Sequence, residues 1–196
     1  METTLKQGKL IFDISMSVDG FIAGPNISVE QPMGESGMRL HDWIFGGKTE
    51  IDKKILDGII ENSGAVIVGG RTYHLAIKEA WGGVSPFTIP AFVLSGNVPE
   101  KIPPGFTFIS NGIESATSQA KSVAGYKNVW VMGGAATGRQ FIKSGLLDEI
   151  HIHLIPVLLG EGIRLFDHTI TRHIELEKIQ VIESPAATHL KFRVKK

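Results

Sequence analysis

Two glycine pairs, each placed between an apolar run and a helix-forming segment, are the features of this sequence best suited to binding a ligand. The pair Gly69-Gly70 follows Ala65-Val66-Ile67-Val68, and the pair Gly133-Gly134 follows Val129-Trp130-Val131-Met132. A strand that turns through glycines into a helix exposes backbone N–H groups, and without Cβ atoms an anion can approach them closely. Two such turns could hold the two phosphates of a dinucleotide. The alternative is a tight turn that needs glycine only for its dihedral angles.

Arg71, directly after the first of these glycine pairs, adds a charge that suits a phosphate. A guanidinium binds a doubly charged phosphate through two parallel hydrogen bonds. This favours the ribose 2′-phosphate of NADP over NAD as the group that Arg71 binds. Neither turn has the Gly-x-Gly-x-x-Gly pattern of the Rossmann fold, so that fold is not predicted.

Asp19 is the best catalytic candidate because it comes just after the first predicted strand. In a hydride transfer to a carbonyl or imine carbon, the protein must orient the two carbons and supply a proton or a hydrogen bond to the other atom. A carboxyl group could do either. The alternative is that Asp19 and Gly20 simply form a turn.

His151 and His153 stand two residues apart on a predicted strand, so their side chains share one face of the sheet. Two such imidazoles could bind a metal ion. Because no further ligand accompanies them in the sequence, we favour a role on the sheet face or at a dimer interface, and we predict no metal site.

The predicted elements place these residues in an α/β fold. Strands alternate with helices as far as Gly145, and only strands follow, which predicts a mainly parallel sheet flanked by helices with antiparallel C-terminal strands. Apolar periodicity predicts helices over 51–60, 71–80, 113–123 and 135–144, the first of them capped near Thr49. The predicted strands are 10–15, 65–68, 91–94, 106–109, 129–132, 149–159, 174–181 (with a bulge near Lys178) and 188–194.

Four candidate segments follow the carboxyl ends of predicted strands, where open sheets bind their ligands. They are Asp19 with its loop, 69–72, 94–96 and 133–137. We therefore expect them to lie on one edge of the sheet. The stretch from Asp19 to about Met38 has no steady period and is predicted to be a long loop, as in a lid over a site.

Composition excludes several other classes of protein. The 196 residues contain 20 Lys plus Arg and 20 Asp plus Glu, so no overall charge favours nucleic acid or a membrane surface. There is no Cys, which removes disulfides, thiol nucleophiles and zinc-thiolate sites. No apolar run reaches the roughly 20 residues that span a bilayer. We expect a single cytoplasmic domain, 1–196.

Four motifs, taken in order, resemble a known family. Ile-Ser-Met-Ser-Val-Asp-Gly-Phe-Ile-Ala at 14–23, Val-Gly-Gly-Arg-Thr-Tyr at 68–73, Met-Gly-Gly-Ala-Ala-Thr at 132–137 and the run from Gly145 to Gly162 are similar to reductases typified by the C-terminal domain of the bifunctional deaminase-reductase of riboflavin biosynthesis. The resemblance covers nearly the whole chain.

The resemblance implies a dihydrofolate-reductase-like fold of three layers, α/β/α, a homodimer and NADPH as the cofactor. Asp19 matches the aspartate on the substrate side of the riboflavin reductases. Leu94 and Ser95 are expected along the adenine. The two glycine turns are expected to carry the cofactor phosphates through Gly70, Arg71, Thr72, Gly133, Gly134, Ala135, Ala136 and Thr137.

The chain lacks the cysteines of the deaminase zinc site, so it resembles a stand-alone reductase domain that acts on a small, flat heterocycle such as the riboflavin precursor. Two alternatives stay open. One is a dihydrofolate reductase, whose substrate-binding acid stands on the first long helix, where this chain offers Glu50, Asp52, Asp57 and Glu61. The other is a nucleotide-binding module without catalysis.

Overall fold

A twisted sheet of eight strands forms the centre of the protein, which a computed structural model describes over residues 7–46, 49–167 and 173–196. Its strands are β1 (Leu10–Ser17), β3 (Ser63–Gly69), β4 (Ala91–Leu94), β5 (Phe106–Ile109), β6 (Asn128–Met132), β7 (Glu149–Ile155), β9 (Leu176–Glu183) and β10 (Thr188–Val194). Their order is β5-β4-β3-β6-β1-β7-β10-β9. All neighbours from β5 to β7 are parallel, and β10 is antiparallel to both β7 and β9. The predicted α/β fold with antiparallel C-terminal strands is confirmed.

Helices cover both faces of this sheet. They are α1 (Asp42–Phe45), α2 (Glu50–Asn62), α3 (Gly70–Ala76), α4 (Ile113–Ala124) and α5 (Ala135–Ser144), and a 3-10 helix, Gly37–His41, precedes α1. None of the helices in the described part of the chain is long and apolar enough to cross a membrane.

The two faces of the sheet differ in chemistry because side chains alternate along each strand. On one face, Phe12 and Val131 pack against Ala116 of α4 and Phe141 of α5 in the main apolar core. Gly138 lets α5 lie directly on β1, because a Cβ at this position would overlap the ring of Phe12. The opposite face carries α2 and α3 and is apolar only at its margins.

On that opposite face, α3 packs through Tyr73 onto Val66 and Val68 of β3. At the other margin, α2 packs through Ile55 onto Trp43 and Ile155. Between these two clusters the strands present polar side chains, which form the network described below.

Helix ends follow the local sequence. The predicted cap at Thr49 is confirmed, because the Thr49 and Asp52 side chains each bond to the other's backbone N–H in a capping box. Gly145 ends α5 in the left-handed conformation with a φ of 72°. In contrast, α3 stops at Ala76 and does not continue to about residue 80, because the chain turns there to pack Trp81 on Phe106.

The segment from Asp19 to Met38 is more structured than the predicted loop. It contains β2 (Phe21–Ala23), which pairs with β8 (Ile163–Arg164) in a small second sheet, and the start of the 3-10 helix. Strands of two and three residues are too short to show a period, and the partner lies far away in the sequence. Local sequence patterns therefore do not predict these two strands.

Two further details of the strands, the end of β7 and a bulge in β9, depend on single residues. Strand β7 ends at Ile155, not at residue 159, because Pro156 has no N–H to donate to the ladder. In β9 the predicted bulge is confirmed: Lys191 of β10 pairs with Gln180 and Phe192 pairs with Lys178, which leaves Ile179 without a partner.

Candidate active site

The two glycine turns pack against each other at the carboxyl edge of the sheet, where β3 and β6 are neighbouring parallel strands. A Cβ at Gly69 would overlap the hydroxyl of Thr137. A Cβ at Gly70 would lie 2.7 Å from the Cβ of Ser95, and one at Gly133 would lie 3.3 Å from the Cβ of Thr137 and 3.4 Å from the backbone nitrogen of Gly69. Three of the four glycines are therefore explained by the close approach of these segments.

Gly134 is different, because packing does not require a glycine there. A Cβ at this position would contact only the Oγ1 of Thr72, at an ordinary 3.6 Å, and its φ of −71° suits any residue. The backbone N–H of Gly134 donates a 3.2 Å hydrogen bond to Thr72 Oγ1, which ties the two turns together. Gly134 is the N-cap residue of α5, directly before the first helical residue, Ala135.

The side chains around these turns leave the edge open to a ligand. Arg71 and Ala136 are exposed, and Arg71 makes no hydrogen bond or ion pair to any described residue. The first amides of α5 have no partner within the helix. Leu94 and Ser95, at the end of β4, are half-buried beside Gly70. The structure therefore brings 69–72, 94–95 and 133–137 together at one edge.

Asp19 lies at the same edge, at the end of β1, and holds a neighbouring loop. Its Oδ1 accepts hydrogen bonds from Ser17 Oγ at 2.6 Å and from the backbone N–H of Leu159 at 3.2 Å. Its Oδ2 accepts one from the N–H of Gly160 at 2.7 Å. The Ser17 hydroxyl, followed by the N–H groups of Gly160 and Leu159, lowers the pKa of Asp19. The side chain is an ionised acceptor, which makes it poorly suited to donate a proton; its catalytic role stays a prediction.

The most distinctive feature of the site, which local sequence patterns did not predict, is a chain of ionisable side chains on the face covered by α2, buried except at Lys9. It runs from the start of β7 across β1 and β10 to the helix. Its contacts are Lys9 Nζ–Glu149 Oε1 (2.5 Å), Glu149 Oε2–His151 Nε2 (2.9 Å), His151 Nδ1–Asp13 Oδ2 (3.5 Å), Asp13 Oδ1–His153 Nε2 (3.0 Å), His153 Nδ1–His189 Nδ1 (2.7 Å) and His189 Nε2–Asp52 Oδ1 (3.0 Å).

Part of this network was visible in the sequence. His151 and His153 were expected to share a sheet face, and they do, together with Glu149. The missing information was the strand register, which places His189 directly opposite His153. The described residues contain no group of three or more His, Cys, Asp or Glu side chains able to hold a metal ion.

The acids of this network are ionised although they are buried. Burial acts to raise the pKa of Asp13, but His153 and His151 outweigh it and hold the pKa well below its usual range. For Asp52, hydrogen bonds from Ser184, Thr49 and His189 likewise outweigh burial and lower the pKa. The His151 hydrogen bond, with Lys9 on the other side, lowers the pKa of Glu149 to about 2.

The ionised carboxylates of Asp13 and Asp52 lie on either side of the pair formed by His153 and His189. They fix the number of protons that the pair carries. Asp13 and Asp52 can only accept, so His153 Nε2 and His189 Nε2 must both donate, and the bond between the two Nδ1 atoms needs a third proton. Two neutral imidazoles carry only two protons. The pair therefore holds one extra proton. Burial and the charge of His153 lower the pKa of His189, which disfavours a second extra proton.

Asp52 is the one acid on α2 that turns into the protein: it has no exposed surface, whereas Glu50 and Glu61 are exposed and Asp57 is half-buried. Its Oδ1 bonds to His189, and its Oδ2 accepts from the N–H and the hydroxyl of Thr49. Both oxygens are thus engaged within the protein. This arrangement speaks against Asp52 as a free acid for binding folate.

Trp43 covers the histidine pair. Its ring lies 4.2 Å from that of His153, and its Nε1 donates a 2.9 Å hydrogen bond to Ser15 Oγ on β1. Nearby, burial lowers the pKa of His41 to about 4, and its Nδ1 has no hydrogen-bond partner among the described residues. The Trp43 ring also contacts that of His189, at 5.1 Å, so Trp43 packs on both histidines.

Comparison with known proteins agrees with this architecture. The family model of the RibD C-terminal domain matches residues 112–188. The uncharacterized protein YwjB of Bacillus subtilis is 31% identical over 170 residues, which cover 86% of this chain and 87% of YwjB. The chain belongs to the RibD C-terminal domain family.

Solved structures show the same fold at low sequence identity. A protein from Shewanella sp. PV-4 named for riboflavin biosynthesis superposes with a TM-score of 0.73 at 20% identity, over 96% of this chain and 99% of its own. Dihydrofolate reductase from Enterococcus faecalis, in a complex with NADP(H), superposes with a TM-score of 0.64 at 15% identity, over 97% and 99% of the two chains. The fold is that of dihydrofolate-reductase-like enzymes, as the sequence motifs implied.

Proposed function

We propose that this protein is an NADPH-dependent reductase that transfers a hydride to a small, flat heterocyclic substrate of the riboflavin-precursor type. The observation that carries the proposal is Gly134, a glycine that neither packing nor its backbone angles require. Access of a ligand to the start of α5 explains it. Membership of the RibD C-terminal domain family and the reductases among proteins of the same fold support an oxidoreductase.

The residues at the edge fit the cofactor. The first amides of α5, at Ala135, Ala136 and Thr137, with Gly133 and Gly134 directly before them, would hold one phosphate. Gly70, Arg71 and Thr72 would hold another, with the Arg71 guanidinium, which pairs with no described residue, on the 2′-phosphate, and Leu94 and Ser95 would lie along the adenine. The cofactor supplies the hydride, and the protein orients it towards the substrate.

Asp19 would act in this reaction by positioning. As an ionised acceptor it holds the Leu159–Gly160 backbone beside the end of β1 and can accept a hydrogen bond from a substrate N–H or O–H. A protonated carboxyl group is not required for this role.

Arg71→Ala tests the proposal. Loss of a charge-assisted hydrogen bond, worth about 1.5–3 kcal/mol, should weaken NADPH by about 10- to 100-fold and leave NADH nearly unchanged. Quenching of tryptophan fluorescence during a titration gives both affinities. Arg193→Ala is the matched control, because Arg193 lies on β10, away from the glycine turns, and is paired with Glu177 on β9. An equal loss for both cofactors would refute the role of Arg71, and NADPH binding without turnover of any pyrimidine or pterin would favour a non-catalytic module.

A further inference from the structure

Asn111 and Gly112 connect β5 to α4 and form a pair of neighbouring groups that the proposed function does not use. Asn111 is exposed and lies outside the helices and strands, and Gly112 is the N-cap residue of α4. Gly112 has a φ of 101°, a backbone conformation that residues with a side chain rarely adopt. The fold therefore requires a glycine directly after Asn111, and no Cβ shields the backbone nitrogen of residue 112.

Both groups of this pair are free of other contacts. The side-chain amide of Asn111 makes no hydrogen bond to any described residue, and neither does the backbone N–H of Gly112. Asn side chains commonly bond to nearby backbone groups, and such a bond would hold the carboxamide in place. Here the electrophilic carbon Cγ of Asn111 is free to approach an unhindered nitrogen.

The other asparagines of the chain lack this combination. Three of them hold their side-chain amides in hydrogen bonds: Asn26, Asn62 and Asn128. The side chain of Asn97 is exposed and bonds to nothing in the part of the chain that the structure describes, but Val98 follows it. The β-branched side chain of Val98 hinders attack by its own backbone nitrogen. Asn97 is therefore an internal control for the effect of the following glycine.

The pair of Asp19 and Gly20 shows how the fold can prevent the same kind of ring closure. Both carboxylate oxygens of Asp19 accept hydrogen bonds, and its pKa is lowered, so the group is an ionised and poor electrophile. The N–H of Gly20 donates a 2.9 Å hydrogen bond to the carbonyl of Ser17. Neither protection exists at Asn111 and Gly112.

We propose that Asn111 is a site of spontaneous modification, at which the side chain deamidates by ring closure onto the backbone nitrogen of Gly112. The nitrogen of Gly112 loses its proton to a solvent base and forms a bond to Cγ of Asn111. The bond between Cγ and Nδ2 breaks, and Nδ2 takes up protons and leaves as ammonia. Water then opens the cyclic imide at either carbonyl carbon, which gives aspartate or isoaspartate. No atom is oxidised or reduced, and water is the only co-reactant.

The product carries a new charge at the edge of the sheet that we assign to the cofactor. The N–H of Ser95 donates a 3.0 Å hydrogen bond to the carbonyl of Ile109, so the connection from β5 to α4 lies beside the end of β4. Deamidation adds a negative charge to a chain whose formal net charge is zero. Because like charges repel, the modified protein should bind the anionic NADPH more weakly. This consequence rests on the proposed function, whereas the modification itself does not.

Peptide mass mapping of the full chain after incubation at mildly alkaline pH tests the modification. Trypsin cleaves after Lys101 and so separates the two sites; the peptide with Asn111 should gain the mass difference between an amide and an acid, and the peptide with Asn97 should not. Because exposed loops open at almost no free-energy cost, the rate at Asn111 should lie within about tenfold of the rate in a synthetic peptide of residues 106–116. Asn111→Gln is the control variant and should not gain the acidic band that the wild type gains in isoelectric focusing.

Two results would overturn the modification: Asn111 remains an amide while the synthetic peptide is converted, or Asn97 is converted as fast as Asn111. Asn111→Asp carries the charge from the start and tests the consequence. It should bind NADPH about two- to fivefold more weakly than Asn111→Gln at low ionic strength, and equally at high ionic strength. Equal affinities at low ionic strength would overturn the effect on the cofactor. Absence of NADPH binding to the wild type would refute the proposed function, and the mass measurement would still decide the modification.

Discussion

The shared proton of His153 and His189 makes a quantitative prediction about stability and pH. In the unfolded chain each histidine titrates near pH 6.5, so the two bind two protons at pH 5. The folded pair binds fewer, because the pKa of His189 is lowered. Below pH 6.5 the unfolded state therefore binds more protons than the folded state, and stability falls with decreasing pH. The lowered pKa of His189 changes stability in the same direction. A protein that holds a histidine neutral in its folded state loses stability as the pH falls below the pKa of that histidine in the unfolded state.

His189→Phe tests this effect, because the titrations of groups outside the network of Asp13, His153, His189 and Asp52 cancel in the difference between variant and wild type. The variant should be less stable at pH 7 by about 3–5 kcal/mol, since Asp52 Oδ1 loses its partner in a site without exposed surface. Between pH 6.5 and pH 5 the wild type should lose up to about 2 kcal/mol of that advantage, at about 1.4 kcal/mol per pH unit.

Urea unfolding at a series of pH values from 5 to 8 measures both quantities. Nitrogen-15 NMR of the imidazoles in the wild type checks the same point without the variant, and His189 should remain neutral at pH 6, with its proton on Nε2. A stability difference that does not change between pH 6.5 and pH 5, or a His189 that titrates at its usual pH, would refute the proton count.

Further predictions concern the carboxyl edge. Gly69→Ala should destabilise the fold by about 1–3 kcal/mol in urea unfolding, because its Cβ overlaps Thr137. Gly134→Ala should leave stability nearly unchanged and weaken the binding of NADPH instead. The reverse pattern would contradict the two roles. Asp19→Asn removes the charge that the Leu159 and Gly160 N–H groups bind, so amide hydrogen exchange at these two residues should accelerate by about tenfold. Turnover should fall more than cofactor affinity, and unchanged exchange and turnover would remove Asp19 from both roles.

Local signals in the sequence were enough to predict most of the fold and the position of the candidate site. The strands β4, β5 and β10 have the predicted bounds, and Gly145 ends α5 as expected, because apolar runs, alternation and glycine act over a few residues. The site segments meet at one edge because parallel strands bring their carboxyl ends together.

What the sequence could not reveal depends on long-range pairing. The pairing of β2 with β8 joins residues about 140 positions apart, and the contact of His153 with His189 depends on the register of two strands. The alternation of apolar and polar residues along β10 predicts that His189 lies on the same face as Lys191, but it does not predict that His153 is its partner. The single domain, the homodimer and the catalytic role of Asp19 stay predictions.

The most direct test of the central claim is a titration of the nitrogen-15-labelled protein with NADPH, followed through its backbone amide signals. The largest shifts should fall on 70–72, 94–95 and 133–137, at the edge formed by the two glycine turns. Shifts confined to the opposite edge of the sheet, or none at saturating NADPH, would contradict the assignment of this edge to the cofactor.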